Sequence, residues 1–315
     1  MPAKRIITVF GATGNQGGAI VSQFLNDPTL NSAWIVRGVT RDVSKDSAKK
    51  LASQGAEVVA ADLNDKASVV KAVAGSDTVF GVTNYWEKLD MQLEEQQGRN
   101  IADAAKEAGV KHLIWSSLLD ITKLTNGKYS HVYHFDSKAH VEEYVRTLGI
   151  PATFFMPGFY MPNIPGGMLS KNGGNWVFSL PVAPSSPIPL YDPADTGKYV
   201  KAIVNNKEAL LGKRFLAATE YITAQGVVDT FKSVFPEAGK TALYFETPKE
   251  GFYAFMKGTG MPDFAVTEMY ENMVLMQDFG YYGGASLDES HGFVADQLTT
   301  WAAFIKKAPA FAGLK

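Results

Sequence analysis

The chain has 315 residues, 46% of them hydrophobic, which suits either one large α/β domain or such a domain with a smaller lobe added. Its 30 basic and 32 acidic residues give a formal net charge of -2, so no global positive field would recruit nucleic acid, and the absence of cysteine excludes disulfides, thiolate metal sites and a cysteine nucleophile. No apolar run approaches the roughly 18 residues that span a bilayer and the N-terminus has no signal-peptide pattern, so we expect a cytoplasmic protein, or a nuclear one, that does not bind membranes.

The first half of the chain alternates short apolar runs rich in β-branched residues with amphipathic segments. Strands are predicted near residues 5–10, 34–40, 57–60, 78–82, 112–115 and 152–156. Helices are predicted near 17–26, 44–54, 66–74, 88–108 and 134–148. This alternation is typical of a parallel sheet covered on both faces, so the predicted fold class is α/β, a Rossmann-type doubly wound parallel sheet.

The character of the sequence changes after residue 157. Residues 157–193 are rich in proline, glycine and aromatic side chains, which predicts a loop-rich wall without long regular elements. Helices are then predicted near 194–205, 223–234, 248–257, 263–278 and 291–307, and strands near 214–218 and 242–246. We therefore predict a dinucleotide-binding domain over 1–157 and a smaller, mainly C-terminal α+β lobe over 158–315, with segments near 187–220 returning to the main sheet.

Three glycines follow the first predicted strand in the pattern G-x-x-G-x-x-G, at the start of a predicted helix. Gly11 allows a tight turn, Gly14 lets backbone amides approach a pyrophosphate, and Gly17 lets the helix pack closely on the strand. The helix N-terminus offers free N–H groups to the phosphates. The pattern in this context indicates a nicotinamide dinucleotide site; the alternative is a glycine-rich turn without a ligand.

The end of the second predicted strand distinguishes the two nicotinamide cofactors. It carries Arg41, where binders of NAD usually place an acidic residue for the ribose hydroxyls. A guanidinium cannot accept hydrogen bonds from hydroxyls but pairs well with a 2′-phosphate, which favours NADP(H). Lys45 lies one turn further on and could add a second charge, although Asp42 between them weakens the argument. The alternative is two ordinary surface cations.

Two further strand ends belong to the same predicted edge of the sheet. Asp62 and Leu63 follow the third strand and could border the adenine. Val82, Thr83 and Asn84 follow the fourth strand, near the middle of a bound dinucleotide. Ligands of open α/β sheets collect at these carboxyl ends, but either group could instead be an ordinary turn.

These motifs resemble those of the NmrA-like family, an atypical branch of the short-chain dehydrogenases/reductases. The resemblance rests on Gly11–Gly17, Val39–Arg41, Val82–Trp86, His134–Lys138, Val141–Tyr144 and Pro157–Asn163, and more loosely on Asp192–Gly197. It is specific over residues 5–165. Pro162 departs from the pattern, because many relatives have Glu there, and Gln96 is uncharged where some relatives have Lys.

The resemblance implies a cleft between a Rossmann domain and a smaller lobe, with NADP(H) bound in it. The residues that it implies as cofactor contacts are Gly11, Ala12, Thr13, Gly14, Asn15, Gln16, Gly17, Arg41, Lys45, Asp62, Leu63, Val82, Thr83, Asn84, Lys138, Tyr160, Met161, Pro162 and Asn163.

The usual catalytic pair of short-chain dehydrogenases, Tyr-x-x-x-Lys on one helix face, is incomplete. Lys138 keeps its family position, which implies a ribose contact, but His134 stands four residues before it and Tyr133 lies about a hundred degrees off that face. His134 could donate a proton, or be a partly exposed helix histidine. Ser116 and Ser117 could orient a substrate or end the fifth strand.

Two functions remain open at this stage, and whether the protein is an enzyme is open with them. The favoured hypothesis is a redox-sensing regulator that binds NADP(H) and acts through a partner protein. The alternative is an NADPH-dependent reductase of a hydrophobic carbonyl, quinone or enone ligand, for which an apolar wall is predicted from Tyr85, Trp86, Phe159, Tyr160, Met168, Trp176 and Phe178. A protein with a vestigial site is a minor alternative. The histidine spacings predict no metal site, and the oligomeric state stays open.

Overall fold

The computed structural model describes residues 3–315. The strands are β1 (Arg5–Val9), β2 (Trp34–Thr40), β3 (Glu57–Ala60), β4 (Thr78–Gly81), β5 (His112–Ser116), β6 (Ala152–Pro157), β7 (Phe159–Tyr160), β8 (Leu169–Asn172), β9 (Asn175–Leu180), β10 (Pro187–Tyr191), β11 (Arg214–Ala217), β12 (Glu220–Thr223) and β13 (Leu243–Glu246). The helices are α1 (Asn15–Asn26), α2 (Pro28–Ala33), α3 (Asp46–Ser53), α4 (Lys66–Val73), α5 (Met91–Glu107), α6 (Ile121–Leu124), α7 (Tyr133–Leu148), α8 (Thr196–Asn205), α9 (Lys207–Leu210), α10 (Ala224–Val234), α11 (Pro236–Gly239), α12 (Lys249–Gly258), α13 (Asp263–Asp278), α14 (Asp288–His291) and α15 (Trp301–Ile305).

Seven parallel strands form the central sheet, in the order β11-β6-β5-β4-β1-β2-β3. Strands β4, β5 and β6 are buried along their whole length, which explains why their sequences are apolar runs rather than alternating patterns. The strand order reverses between β1 and β4, and ligands of such sheets bind beyond the carboxyl ends of the strands at this point. The predicted Rossmann-type α/β class is confirmed.

Helices cover both faces of this sheet. On one face α1 buries Ile20, Val21 and Phe24, whose spacing gives one apolar stripe, and each fully buried side chain of this kind contributes about 1.5–3 kcal/mol. Helix α8 packs against α1 closely, since a Cβ on Gly197 would lie 2.3 Å from the Cβ of Gln23. Helices α4, α5 and α7 bury their apolar sides in a separate core on the other face.

A second body of structure follows the central sheet. It contains two three-stranded sheets, β12-β10-β7 and β13-β9-β8, which pack with α10, α13 and α15 around a third core. Trp301, Phe231 and Phe178 are fully buried in it. The stretch 157–193 holds four of these short strands, which its proline and glycine content concealed from sequence reasoning. No helix within residues 3–315 is long and apolar enough to cross a membrane.

The helix predicted over residues 291–307 is wrong. The chain forms two short helices there, α14 and α15, with an irregular segment between them. Two distant carboxylates bind backbone amides where this segment ends: Asp195 accepts from the N–H of Thr299 at 2.5 Å, and Glu220 accepts from that of Trp301, the first residue of α15, at 2.7 Å. Because these side chains satisfy the amides, the segment does not need helical hydrogen bonds.

Candidate functional site

A cavity of about 1690 Å³ opens at the carboxyl ends of the central strands and extends to α12, α13 and β13. Pockets for single small ligands usually measure about 300–1,000 Å³, so this cavity has room for a dinucleotide together with a second molecule. The predicted site residues that line it are Gly11, Thr13, Gly14, Asn15, Gln16, Gly17, Arg41, Lys45, Asp62, Leu63, Val82, Thr83, Asn84, His134, Lys138, Tyr160, Pro162 and Asn163. Their contacts with a cofactor stay predictions.

Two predicted contact residues do not line the cavity. The side chain of Ala12 is fully buried against β2, where a Cβ on Gly38 would lie 3.0 Å from it. Met161 is fully buried in the core of the second body. The family motif is continuous through both positions, but a turn directs neighbouring side chains to opposite sides.

The glycine loop forms a cradle at the base of the cavity. Gly11 has a φ of 61°, in the left-handed region that favours glycine. A Cβ on Gly17 would lie 2.3 Å from the carbonyl oxygen of Gly11, so only glycine permits this approach of α1 to the turn. Gly14 precedes α1 and has no side chain that could accept hydrogen bonds from the first turn of the helix. The backbone N–H groups of that turn therefore remain available to a ligand. A pyrophosphate fits this cradle.

Arg41 lies at the mouth of the predicted adenosine end and has a partner that the sequence did not reveal. Its Nη1 is 2.5 Å from Oε1 of Glu87, in the 3₁₀ turn that follows Asn84. The Arg41 side chain is 66% exposed and that of Glu87 is 38% exposed. The hydrogen bond from Arg41 holds the pKa of the Glu87 carboxyl below its usual value. A phosphate at Arg41 would therefore compete with a carboxylate.

Lys138 is held by a buried carboxylate at the floor of the cavity. Its ammonium group forms an ion pair with Glu94 of α5, which also accepts hydrogen bonds from the hydroxyls of Ser137 and, at 2.7 Å, Thr83. Burial of Glu94 raises its pKa, but the charge of Lys138 and these hydrogen bonds outweigh burial, so the pKa lies below its usual value. Glu94 thus holds the side chain of Lys138 close to Thr83, which follows β4.

His134 belongs to a hydrogen-bond network that joins the two bodies of the protein. Its Nδ1 donates to Oε1 of Glu268 at 2.6 Å, and its backbone N–H donates to the same oxygen at 2.9 Å. Glu268, in α13, is fully buried and accepts a third hydrogen bond from the hydroxyl of Tyr85 at 2.7 Å. The ring of Trp86 lies 4.7 Å from the imidazole. Since Nδ1 is engaged, Nε2 is the nitrogen left for the cavity.

The serines at the end of β5 differ in their surroundings. Ser116 donates to Oε1 of Gln16 at 2.9 Å, and the amide of Gln16 donates to the hydroxyl of Tyr160 at 2.7 Å. This chain of polar groups joins β5, the glycine loop and β7 along the cavity. Ser117 lies outside the cavity and donates to Glu142 at 2.6 Å. Tyr133 also lies outside the lining, as expected from its helix face.

The apolar wall was predicted in part. Tyr85, Trp86, Phe159, Tyr160 and Met168 line the cavity. Trp176 and Phe178 do not, because Trp176 packs on Phe231 and Phe178 packs on Tyr244 within the second body. The lining residues that sequence reasoning missed include Phe245, Phe252, Phe255, Met256, Met261, Met269, Asn272 and Met273. They follow residue 240, and no local motif connects them to the glycine loop.

The remaining histidines have separate partners. His112, His131, His140 and His291 bond respectively to Thr153, Glu271, Glu95 and the carbonyl of Ala218. Within residues 3–315, no group of three or more histidines and carboxylates is placed to hold a metal ion.

Comparison with known proteins identifies the relatives of this fold and site. A family model described as the NmrA-like family matches residues 3–305. The chain belongs to this family. One curated relative, the NmrA-like family domain-containing oxidoreductase malD of Malbranchea aurantiaca, is 32% identical over 258 residues, covering 76% of this chain and 75% of that protein. The family resemblance inferred from the motifs is confirmed.

Solved structures with the NmrA-like fold cover almost the whole chain. A structure of NmrA, a negative transcriptional regulator, in complex with NADP has a TM-score of 0.80 at 20% identity, covering 98% of this chain and 96% of its own. The NADPH-dependent quinone oxidoreductase QOR2 of Escherichia coli, complexed with NADPH, has a TM-score of 0.74 at 23% identity, covering 95% of this chain and 98% of its own. A regulator and an enzyme therefore share the architecture of this chain, which by itself does not distinguish the two functions.

Proposed function

We propose that this chain is an NADPH-dependent reductase of a hydrophobic carbonyl, quinone or enone compound. The observation that carries the proposal is one continuous cavity with a glycine cradle and cations at one end, an apolar wall at the other, and His134 and Lys138 between them. A sensor needs only the end that binds the cofactor. A reductase also needs the apolar end, which binds the substrate, and a proton source where the two ends meet.

The cofactor half of the proposal assigns roles to residues already described. The cradle at Gly11 and Gly14 binds the pyrophosphate, Arg41 and Lys45 bind the 2′-phosphate, and Lys138 binds the nicotinamide ribose. NADPH bound in this way supplies a hydride to the second ligand. The curated relative from Malbranchea aurantiaca is named an oxidoreductase, and the quinone oxidoreductase from Escherichia coli was solved with NADPH, which supports the same cofactor here.

The proton half of the proposal centres on His134. Hydride addition to a carbonyl carbon leaves a negative oxygen, which needs one proton to become a hydroxyl. The imidazolium of His134 donates that proton from Nε2 and is protonated again from water. Glu268 fixes the orientation of the ring through Nδ1, because the two atoms are 2.6 Å apart and the carboxylate is fully buried.

The test measures binding and turnover separately. We expect calorimetry to show NADPH binding, and NADPH absorbance to fall when menadione or a hydrophobic enone is added. His134→Gln is expected to lower kcat about a hundredfold and to leave NADPH affinity unchanged. His140→Gln is the control, since His140 lies on the same helix but outside the cavity. A broad carbonyl and quinone screen without NADPH oxidation, despite tight NADPH binding, would exclude the reductase.

A redox-sensing regulator with a partner protein is the second candidate. The observation in its favour is the histidine at position 134, where the usual catalytic tyrosine is absent. A sensor has to respond differently to NADPH and NADP⁺, because a ligand shifts a conformational equilibrium only through unequal affinity for its states. Identical affinities and identical amide hydrogen exchange with both forms of the cofactor would exclude this function.

A further inference from the structure

Asn272 is a buried amide without a partner at the apolar end of the cavity. It lies on α13, is 6% exposed, and is among the residues that line the cavity. Its Nδ2 is fully buried and has no hydrogen-bond partner. Within residues 3–315, the other buried side-chain atoms that lack partners belong to residues outside the cavity. Buried polar groups are nearly always hydrogen-bonded. Oδ1 of the same amide is not among the buried unpaired atoms, and a half-turn of the amide exchanges its oxygen and nitrogen, so we infer a ligand that turns Nδ2 toward the cavity and accepts from it.

The surroundings of Asn272 define the class of this ligand. The charged residues in the lining are Arg41, Asp42, Lys45, Asp62, Glu87, Lys88, Asp90, Glu94, His134 and Lys138. All precede residue 157, and the lining residues from 157 onward include no Asp, Glu, Lys, Arg or His. The acidic and basic groups nearest Asn272, Glu268 and His134, are paired with each other, so an ionised ligand in that half would lose its hydration without gaining a free counter-charge. The ligand beside Asn272 is therefore neutral and mainly apolar, with an oxygen that accepts a hydrogen bond.

The wall around Asn272 is adaptable in shape. Five methionines line this half of the cavity: Met168, Met256, Met261, Met269 and Met273. Their unbranched side chains fit irregular apolar surfaces, so they place little restriction on the outline of the ligand. A directional hydrogen bond from Asn272 then contributes the orientation that the methionines do not.

Helix geometry relates Asn272 to the proposed proton donor. Asn272 follows Glu268 by four residues, so both side chains lie on one face of α13, about one turn apart. Glu268 holds His134, whose ring also lines the cavity. Asn272 therefore lies one turn along α13 from the carboxylate that holds His134, and Asn272 and His134 both line the cavity.

We propose that Nδ2 of Asn272 donates a hydrogen bond to a carbonyl oxygen of an uncharged, largely apolar substrate, and that it is a specificity-determining residue. The identity of the ligand as a substrate rests on the proposed reductase function. The binding contact itself does not, because a neutral carbonyl compound would be recognised in the same way without turnover.

The test compares two probes that differ by two carbonyl oxygens, menadione and 2-methylnaphthalene. Equilibrium dialysis of the full chain, without NADPH, gives both dissociation constants. We expect the protein to bind menadione more tightly, and Asn272→Leu to weaken menadione binding about tenfold while changing 2-methylnaphthalene binding less than twofold. Met269→Leu is the control, since it lines the cavity on the same helix and should not change the ratio of the two constants.

Two results would overturn the proposal. One is equal affinity of the unmodified protein for both probes, and the other is an equal change for both probes in Asn272→Leu. Asn272→Ala is a second variant in case the leucine variant does not fold: it removes the donor without adding bulk or charge, and should weaken menadione binding selectively. Because the dialysis contains no NADPH, a lack of NADPH oxidation would exclude the reductase and leave this result standing.

Discussion

At the scale of single residues, three carboxylates pair with Arg41, Lys138 and His134 of the cavity lining. Glu87 pairs with Arg41 at the surface, while Glu94 and Glu268 are buried against Lys138 and His134. The free energy of each pair depends on its burial, because solvent screens exposed charges and the loss of hydration makes unpaired buried charges costly. The three pairs therefore respond differently to substitution.

Glu87→Gln should strengthen NADP(H) binding, because it frees Arg41 for the 2′-phosphate. Exposed ion pairs contribute at most about 1 kcal/mol, so the gain should reach about fivefold. Calorimetry with NADP⁺ and with NAD⁺ measures it, and NAD⁺ is the control since it has no 2′-phosphate. An equal gain for both cofactors would show that Glu87 does not compete for that phosphate.

Glu94→Gln should lower the free energy of unfolding by about 3–5 kcal/mol at neutral pH, because it leaves the ammonium of Lys138 buried without a counter-charge. Urea denaturation measures the loss. Glu95→Gln is the matched control: it is the next residue of α5, and its partners Arg99 and His140 are partly exposed. If Glu94→Gln lowered the free energy of unfolding by less than about 1 kcal/mol, the ion pair between Glu94 and Lys138 would not be important for stability.

The same variant has a defined pH dependence. The folded-state pKa of Glu94 lies below its ordinary value of 4.5, so its contribution to stability is present above that pH and is lost as the pH falls through the folded-state pKa. The difference in unfolding free energy between the unmodified protein and Glu94→Gln should therefore shrink below about pH 4.5.

The positions of these cations were predictable from the sequence, and their partners were not. A strand end or a helix spacing identified Arg41, Lys138 and His134 as candidates. Their carboxylates lie 46, 44 and 134 residues away along the chain, respectively. No periodicity connects residues at such separations, so these pairs required the tertiary structure.

At the scale of elements, the contrast between α13 and the helix predicted over 291–307 is instructive. Helix α13 was predicted over the residues that it occupies, because its local pattern and its hydrogen bonds agree. The pattern over 291–307 was helical, but Asp195 and Glu220 bind the backbone there instead. Periodicity describes which side chains are buried, and it does not reveal a distant group that replaces a helical hydrogen bond.

The contact between α1 and α8 gives a prediction for a single methyl group. Gly197→Ala should lower the free energy of unfolding by about 1–3 kcal/mol, because its Cβ would lie 2.3 Å from Gln23 and 2.6 Å from the carbonyl oxygen of Ala19. Gly166→Ala is the control, since no atom lies within 4 Å of its Cβ. Urea denaturation of both variants measures the difference, and a stabilised Gly197→Ala protein would refute the prediction.

At the scale of the whole molecule, the two halves of the cavity differ in charge although the net charge of the chain is only -2. We expect NADP(H) affinity to fall about fivefold when the salt concentration rises from low to molar, because salt screens the exposed cation Arg41. Menadione affinity should not fall, since it is set by apolar contact and one neutral hydrogen bond. Parallel titrations measure both, and a shared salt dependence would contradict the division of the cavity.

The charged and apolar halves of the cavity come largely from different parts of the sequence. This separation affects how the protein can acquire new ligands. Residues 243–273 supply eleven lining residues of the apolar half, whereas the charged residues of the lining all precede residue 157. Mutation in one short stretch of sequence can thus alter substrate choice while the cofactor site is inherited unchanged. Glu268 is the exception, because it lies within that stretch and holds His134 of the other half. We therefore expect related sequences to vary at the lining residues around Glu268 while Glu268 itself is kept. Libraries of variants at those lining residues should show altered substrate selectivity and unchanged cofactor affinity.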